Sequence, residues 1–345
     1  MELYGRDLIC TQDWTFDELV ATLELAARMK RDRFSDRWGA ILRNRTFVMF
    51  FYNPSVRTRL SFEAGLTELG GHAQFMTPSA GRFKSDKQAG ETIEDAAKVM
   101  ARYAAGIGIR ILEDRVPYYG AGDEMLREYA YWAGVPIINM ADDRFHPCQA
   151  LADVMGWAEW LGQGPGRPDY GALRGKKLLL SWGSGALARS WCSVQAAMLI
   201  ASRFGMNVTM AYPEGYDLDA EVISWTKQNC QRNKADFEVV HDPDSGYDGA
   251  HVVYCRNWVS PEAYQDGSLQ KQREIERAMA YTGWTTTVER MARTDNAIFT
   301  HPMPVDRGSE VTDEVASGSR SAIYDIAENR LHVQKAIMAL TMGNL

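Results

Sequence analysis

Apolar residues recur at two periods along the chain, one typical of helices and one typical of strands. The segment 15–33, TFDELVATLELAARMKRDR, has helical spacing, whereas RTFVMFFYN at 45–53 is a short apolar run typical of a buried strand. Strand and helix candidates then alternate as far as MLREYAYWAG and VPIINM, which end near residue 140. This alternation predicts parallel βαβ units joined by right-handed crossovers.

A second alternating series follows the densest Gly and Pro stretch of the chain, LGQGPGRPDYGA at 161–172, which we take as the break between two units. The series contains the strand candidates KKLLLSW, NVTMAYP and HVVYCRNW, and it closes with a long helical segment, AENRLHVQKAIMALTM. We therefore predict an α/β protein of two doubly wound parallel-sheet domains with a cleft between them. In such sheets, ligands bind beyond the carboxyl ends of the strands.

Composition narrows the functional classes. A length of 345 residues favours two domains, and a net charge of -7 argues against a general nucleic-acid binder. The chain has no run of about 18 apolar residues and no apolar signal segment at its start, so we expect a cytoplasmic protein without a membrane partner. Its five cysteines are scattered and lack CxxC spacing, which predicts neither a disulfide framework nor a metal site.

The strongest candidate binding segment is SVRTR at 55–59, which separates a predicted strand from a predicted helix. A helix N-terminus offers unpaired backbone N–H groups and a partial positive charge, which suits a phosphate. Ser55 and Thr58 add hydroxyl groups, and Arg57 adds a planar guanidinium that matches phosphate geometry. The same residues also fit an ordinary helix start, with Ser55 as the N-cap and the arginines in solvent.

Two further clusters follow predicted strands. Arg110 ends the glycine-rich run GIGIR, and a charge at that place needs a carboxylate or a bound anion. His146 and Gln149, in the segment HPCQ, follow the strand VPIINM, where an imidazole N–H and an amide can polarise a carbonyl oxygen and hold an amino group. A single histidine is equally compatible with a structural hydrogen-bond donor.

The segment HPMP at 301–304 lies after the strand candidate AIFT and is followed by Asp306-Arg307-Gly308. Two prolines one residue apart stiffen the backbone, and they can present a carbonyl group that no local donor satisfies. A rigid exit from a strand into a loop explains the same pattern.

A competing motif is Gly183-Ser184-Gly185-Ala186-Leu187-Ala188, which follows the strand KKLLLSW and precedes a predicted helix. It is close to the G-x-G-x-x-A fingerprint of dinucleotide-binding proteins and favours, as an alternative, an NAD(P)-dependent oxidoreductase. Against that alternative, the next strand ends in Tyr212-Pro213, where the motif requires a ribose-binding acid, although Glu214 lies nearby.

Taken together, NPSVRTR, Arg110, HPCQ, HPMP and AENRLHVQKAIM resemble the aspartate/ornithine carbamoyltransferase family, from about residue 45 to the C-terminus. Within the family they are most similar to the N-acetylornithine (N-acylornithine) branch. The resemblance implies transfer of a carbamoyl group from carbamoyl phosphate to the amine of a small amino-acid-like acceptor, with release of phosphate and without a cofactor. A non-catalytic family member that binds an anion is a further alternative.

The resemblance also implies an organisation and a set of site residues. Residues 1–150 would bind carbamoyl phosphate, 151–320 would bind the acceptor, and 321–345 would form a helix that returns to the first domain. The protein would be a homotrimer with shared active sites. Carbamoyl phosphate would contact Ser55, Val56, Arg57, Thr58, Arg110, His146, Gln149, Met303 and Arg330, of which Arg57, Thr58, Arg110, His146 and Gln149 would be catalytic. The acceptor would contact Ser85, Lys87, Trp258, His301, Pro302, Asp306, Arg307 and Glu310.

The departures from the family pattern concern the acceptor. Pro302 differs from the ornithine enzymes, and their Asp-x-x-x-Ser-Met-Gly loop is absent. Glu310 replaces a lysine expected in the N-acetylornithine branch, which predicts an acceptor whose cationic end faces Glu310 or Asp306. Glu310 also fits a solvated charge ahead of the next helix.

Overall fold

The computed structural model describes residues 3–81, 89–185, 188–264, 267–343 and 345. The chain divides into two compact units. The first comprises Met1–Leu151 together with Asn329–Leu345, and the second comprises Ala152–Glu328. None of the helices in these described ranges is both long and apolar enough to cross a membrane.

The first unit is built on a parallel sheet of four strands in the order β2-β1-β3-β4. An isolated parallel bridge from Leu8 to Ile138 continues the pairing beyond β4. In chain order its elements are α1 (Phe16–Arg31), β1 (Thr46–Phe51), α2 (Val56–Glu68), β2 (His72–Met76), α3 (Ile93–Tyr103), β3 (Gly106–Arg110), α4 (Ala121–Ala133), β4 (Ile137–Ala141) and the start of α5 (Pro147–Trp160).

The glycines of β3 are required by packing. A Cβ atom on Gly108 would lie 2.8 Å from the ring of Phe47, and one on Gly106 would lie 2.5 Å from the sulfur of Met342. Neither distance is sterically tolerable, so the alternation of glycine and isoleucine in GIGIR lets an aromatic ring and the C-terminal helix approach the strand.

The second unit contains a parallel sheet of five strands in the order β7-β6-β5-β8-β9. Residues from Asn329 onward, in its last helix, belong to the first unit. In chain order its elements are β5 (Lys177–Trp182), α6 (Cys192–Arg203), β6 (Asn207–Ala211), α7 (Ala220–Asn233), β7 (Phe237–Val240), β8 (Val252–Arg256), α8 (Lys271–Ala278), α9 (Val288–Met291), β9 (Ile298–Thr300), α10 (Asp313–Ala316) and α11 (Ile323–Met342).

The predicted fold class of two parallel-sheet α/β domains is confirmed, with two local differences. Strand β7 was not predicted, because its four residues are at best half-buried at the sheet edge and lack a continuous apolar run. The two compact units divide between Leu151 and Ala152, inside the continuous helix α5, whereas the Gly and Pro pattern placed the break at 161–172. The Gly- and Pro-rich stretch follows the end of that helix.

Each sheet reverses its strand order at one point. In the first sheet this point lies between β1 and β3, where Phe51 pairs in register with Arg110. In the second it lies between β5 and β8, where Trp182 pairs with Arg256. The residues that follow these strand ends are therefore placed where open α/β sheets bind their ligands.

Candidate active site

Helix α2 begins directly beyond the carboxyl end of β1. Ser55 is its N-cap, and the Ser55 hydroxyl accepts a hydrogen bond from the Thr58 N–H at 3.3 Å. The same hydroxyl donates to the Thr58 Oγ1 at 3.0 Å. The capping role foreseen as an alternative is therefore real, and it orients the hydroxyl groups at a 13-residue helix whose N-terminus favours an anion.

Arg330 of α11 lies at the same helix start. Its Nη2 donates to the Oγ1 of Thr58 at 2.7 Å, and both side chains are buried. Burial raises the pKa of Cys148 to about 12, although the nearby charge of Arg330 opposes this rise. Arg330 therefore contacts the start of α2 and lies near enough to Cys148 of the HPCQ segment to affect its pKa.

Arg110 is the last residue of β3, level with Phe51 of β1 and Ala141 of β4. Its Nη1 donates to the carbonyl oxygen of Met140 at 3.3 Å. The sheet register thus brings Arg110 to the edge at which α2 begins. Asn53, which sequence reasoning missed, joins the two loops there, since its Oδ1 accepts the Leu112 N–H at 2.7 Å.

His146 and Gln149 lie at the start of α5, beyond β4. The carbonyl oxygen of His146 accepts the Gln149 N–H at 3.0 Å, and both side chains are buried. The loop that leads to His146 is held by Asp142, whose Oδ1 accepts the N–H of Arg144 at 2.7 Å. Asn139 donates to the other oxygen of Asp142 at 2.8 Å. Asp142, four residues before His146, was the sequence signal for this support, and sequence reasoning missed it.

The second sheet has a comparable arrangement between β5 and β8. The Gly183 N–H donates to the Arg256 carbonyl at 2.9 Å, and the Asn257 side chain donates to the Gly183 carbonyl at 3.0 Å. Arg256 is 8% exposed, and its Nη1 reaches the Pro304 carbonyl at 3.5 Å. Within the described part of the chain, its Nε has no hydrogen-bond partner. A buried guanidinium paired this weakly favours binding of an anion.

Sequence reasoning did not select Arg256, although Arg256 is the last residue of a buried strand, as Arg110 is. The signal was the same in both cases, a charged residue closing an apolar run. Asn257 was also missed.

His301 and Glu310 form a buried pair beside Arg256. The Nδ1 of His301 accepts the Met303 N–H at 2.8 Å, so the Nε2 carries the proton and donates to the Glu310 Oε2 at 3.0 Å. Burial lowers the pKa of His301, and the charge of Glu310 opposes this shift. Burial alone would raise the pKa of Glu310, but His301, Arg256 and the Asn257 N–H lower it to about 2.

The interpretation of Glu310 as a solvated charge is wrong, because its side chain is 0% exposed. Its Oε1 accepts the Asn257 N–H at 2.6 Å, and its Oε2 also accepts the Asp306 N–H at 2.9 Å. With both oxygens already engaged, Glu310 is suited to positioning Asn257 and His301 rather than to facing the cationic end of an acceptor.

The remaining predicted acceptor residues differ in their surroundings. Trp258 is 1% exposed, and its Nε1 donates to the Tyr216 carbonyl at 2.9 Å, so its indole contributes to the core of the second unit. Arg307 is exposed and pairs with Asp313 at 2.9 Å. Pro302 is buried, and Asp306 is half-buried. Ser85 and Lys87 lie outside the described residues.

The described residues of the glycine-rich motif, Gly183, Ser184 and Gly185, do not resemble a dinucleotide site. Helix α6 is described from Cys192 onward, and both backbone groups of Gly183 are bonded to Arg256 and Asn257. Phosphate recognition by that motif requires the helix N-terminus to lie at the glycines. Among the described residues, no cluster of three or more His, Cys, Asp or Glu side chains could hold a metal ion.

Comparisons with known proteins cover both units. Residues 6–159 match the aspartate/ornithine carbamoyltransferase, carbamoyl-P binding domain, and residues 188–341 match the Asp/Orn binding domain of the same family. The ornithine carbamoyltransferase of Thermococcus kodakarensis is 35% identical over 345 residues, which are 100% of this chain and 99% of the relative. The N-acetylornithine carbamoyltransferase of Xanthomonas campestris is 36% identical, over 98% of each chain.

The structural comparison agrees. A crystal structure of acetylornithine transcarbamylase complexed with acetylcitrulline has a TM-score of 0.89 and 35% identity, and it covers 98% of this chain and 100% of its own. These matches define an enzyme that transfers a carbamoyl group. The chain belongs to the aspartate/ornithine carbamoyltransferase family. The oxidoreductase alternative is not supported.

Proposed function

We propose that the first unit binds carbamoyl phosphate through the groups gathered at the carboxyl edge of its sheet. The observation that carries this proposal is the 2.7 Å hydrogen bond from Arg330 to Thr58, which brings a buried guanidinium to a helix N-terminus from 272 residues away. The phosphate would be bound by Ser55, Val56, Arg57 and Thr58. Arg330 would add a second guanidinium at the N-terminus of α2. The doubly charged acyl phosphate would compensate these guanidinium groups.

In this proposal Arg110, His146 and Thr58 polarise the carbamoyl oxygen, and Gln149 holds the carbamoyl amino group. Attack by a neutral amine forms the new C–N bond and places negative charge on that oxygen. Collapse of this intermediate breaks the bond to phosphate, and the departing phosphate accepts the proton of the amine. Preorganised donors lower the barrier to the charged intermediate, and binding both substrates together contributes the remainder.

We further propose that the second unit binds an ornithine-type amino acid. Arg256 would hold its carboxylate, supported by the burial and weak pairing of this guanidinium. Ornithine and N-acetylornithine are the acceptor types that the names of the relatives indicate. The family resemblance implies that the Met303 carbonyl accepts a hydrogen bond from the carbamoyl amino group. The hydrogen bond from the Met303 N–H to His301 supports a fixed backbone at this position.

The proposal includes a cytoplasmic homotrimer in which a neighbouring chain supplies Ser85 and Lys87. An exposed apolar pair supports the oligomer, since Val56 is 73% and Leu60 60% exposed one turn apart on α2. In the trimer these two side chains would be covered by the neighbouring chain, which would remove them from solvent. Analytical ultracentrifugation would test this, and a monomer at micromolar concentration would contradict it.

The experiment that tests the function is phosphate release from carbamoyl phosphate, with ornithine, N-acetylornithine and related amines supplied one at a time. We expect turnover with at least one of them, and a loss of at least about 10²-fold in kcat/KM on Arg57→Ala. An Arg57→Ala enzyme with full activity would refute the site, and no turnover with any amine would favour the non-catalytic alternative.

A further inference from the structure

We propose that Glu68 and Lys335 are positioning residues that fix the register of α11 against α2 and thereby hold Arg330 at Thr58. Neither residue is among those assigned to either substrate. This inference rests on the proposed carbamoyl-phosphate site, because it concerns how one arginine of that site is kept in place.

The first observation is an ion pair between the two helices, in which the lysine is fully buried and the glutamate is partly buried. Glu68, the last residue of α2, accepts a hydrogen bond from the Lys335 Nζ at 2.7 Å, and Lys335 is 0% exposed. The other oxygen of Glu68 accepts from Arg33 at 2.7 Å. Burial would raise the pKa of Glu68, but Arg33 and Lys335 lower it, which keeps the carboxylate charged. Separating this pair would leave a buried ammonium without compensation.

The second observation is close packing between the same helices. A Cβ atom on Gly65 of α2 would lie 3.1 Å from the Lys335 Cγ and 3.4 Å from the Leu331 Cδ1. The backbone of α2 is thus nearly in contact with side chains of α11, and close-packed surfaces interlock in discrete positions instead of sliding freely.

The third observation is that the two helices share a second polar contact, from Arg330 to Thr58. Thr58 and Glu68 are about 15 Å apart along α2, and Arg330 and Lys335 are about 7.5 Å apart along α11, at 1.5 Å per residue. The long side chains of Arg330 and Lys335 span the difference between these separations, and two such contacts oppose a shift of one helix along the other. A shift of one residue moves a side chain by about 1.5 Å, which breaks a hydrogen bond of ordinary length.

We expect Glu68 to act on substrate only through Arg330, and a double-mutant cycle in the full-length enzyme tests this. Glu68→Gln should raise the KM for carbamoyl phosphate by about tenfold, or about 1.4 kcal/mol, because the buried Lys335 ammonium loses its charged partner and Arg330 is no longer held at Thr58. In an Arg330→Ala enzyme, the same substitution should change this KM less than twofold, because the contact it positions is already gone.

Two variants guard against an effect of folding alone. Glu68→Asp keeps the charge but shortens the side chain by one methylene, and it should give an intermediate KM in the wild-type background and no change in the Arg330→Ala background. Glu63→Gln is the matched control, because it breaks a partly exposed ion pair with Arg59 on the same helix. Its KM should stay within about twofold of wild type, as expected for an exposed pair.

Failure of the positioning role and failure of the proposed carbamoyl-phosphate site would give different results. If Glu68→Gln raises the KM by the same factor with and without Arg330, or lowers thermal stability while the KM is unchanged, the positioning role is overturned. If Arg330→Ala itself leaves the KM for carbamoyl phosphate at the wild-type value, the proposed substrate site fails instead.

Discussion

His301 and Glu310 are joined by a fully buried hydrogen bond, with 3.0 Å between the imidazole Nε2 and the carboxylate Oε2. Glu310 also accepts the N–H groups of Asn257 and Asp306. One carboxylate therefore fixes the chain after β8 and the chain after β9. This arrangement makes Glu310 a support for the two chain segments that follow β8 and β9.

Replacing Glu310 by Gln should be strongly destabilising. Glutamine replaces one of the two carboxylate oxygens by an NH₂ group, which cannot accept a hydrogen bond. At least one of the buried N–H groups that bind Glu310 in the wild type therefore loses its acceptor. We expect a loss of about 2–4 kcal/mol in the free energy of unfolding, measured by urea denaturation. Glu314→Gln, at an exposed position of α10, is the control and should change it by less than about 0.5 kcal/mol. Equal effects of the two substitutions would contradict the supporting role.

The same pair predicts how stability depends on pH. The pKa of Glu310 is lowered to about 2, and the pKa of His301 is lowered by burial, from ordinary values of 4.5 and 6.5. The unfolded chain therefore binds more protons than the folded chain below pH 6.5. The free energy of unfolding should fall as the pH decreases through this range, by up to about 3 kcal/mol for Glu310 as the pH approaches 2.

Urea unfolding at pH values of about 7.5, 6, 5, 4, 3.5 and 3 would measure this dependence. The Glu310→Gln enzyme should lose the part of the slope that lies below pH 4.5, since its amide does not titrate. A slope in the variant as steep as that of the wild type would show that other carboxylates dominate.

Thr58→Val should weaken binding of carbamoyl phosphate without unfolding the protein. Valine has nearly the shape of threonine but removes the oxygen that accepts from Ser55 and Arg330. The Arg330 guanidinium then loses a buried partner, and we expect the KM for carbamoyl phosphate to rise by about tenfold, or 1.4 kcal/mol. Steady-state kinetics at saturating acceptor would measure it. Thr67→Val, at an exposed position of the same helix, should leave the KM unchanged.

The sequence predicted the features that depend on local pattern. The apolar run of β1, the amphipathic helix α1 and the N-cap at Ser55 are each encoded within a few residues, and each is present in the structure. The alternation of these elements was enough to predict two parallel sheets, because the handedness of crossovers leaves few other arrangements.

The sequence did not predict features that depend on distant residues. No local pattern reveals that Glu310 lies against His301 and Asn257, so its charge fitted a solvated position equally well. Strand β7 is held by pairing with β6 rather than by its own composition. The link from Thr58 to Arg330 was expected only through the family resemblance, since it joins residues that are 272 positions apart.

Arg256→Gln should lower kcat/KM for the amino-acid acceptor and leave the KM for carbamoyl phosphate nearly unchanged. Glutamine keeps a hydrogen-bond donor near the Pro304 carbonyl but removes the positive charge that we assign to the acceptor carboxylate. We expect kcat/KM for the acceptor to fall by about 10²-fold, because a charge-assisted bond contributes about 2–3 kcal/mol, while the KM for carbamoyl phosphate stays within about twofold. Arg232→Gln, at an exposed position of α7, is the control and should leave both constants unchanged. If Arg256→Gln instead weakens carbamoyl-phosphate binding and leaves the KM for the acceptor unchanged, this guanidinium serves the donor, and the acceptor carboxylate must be held elsewhere.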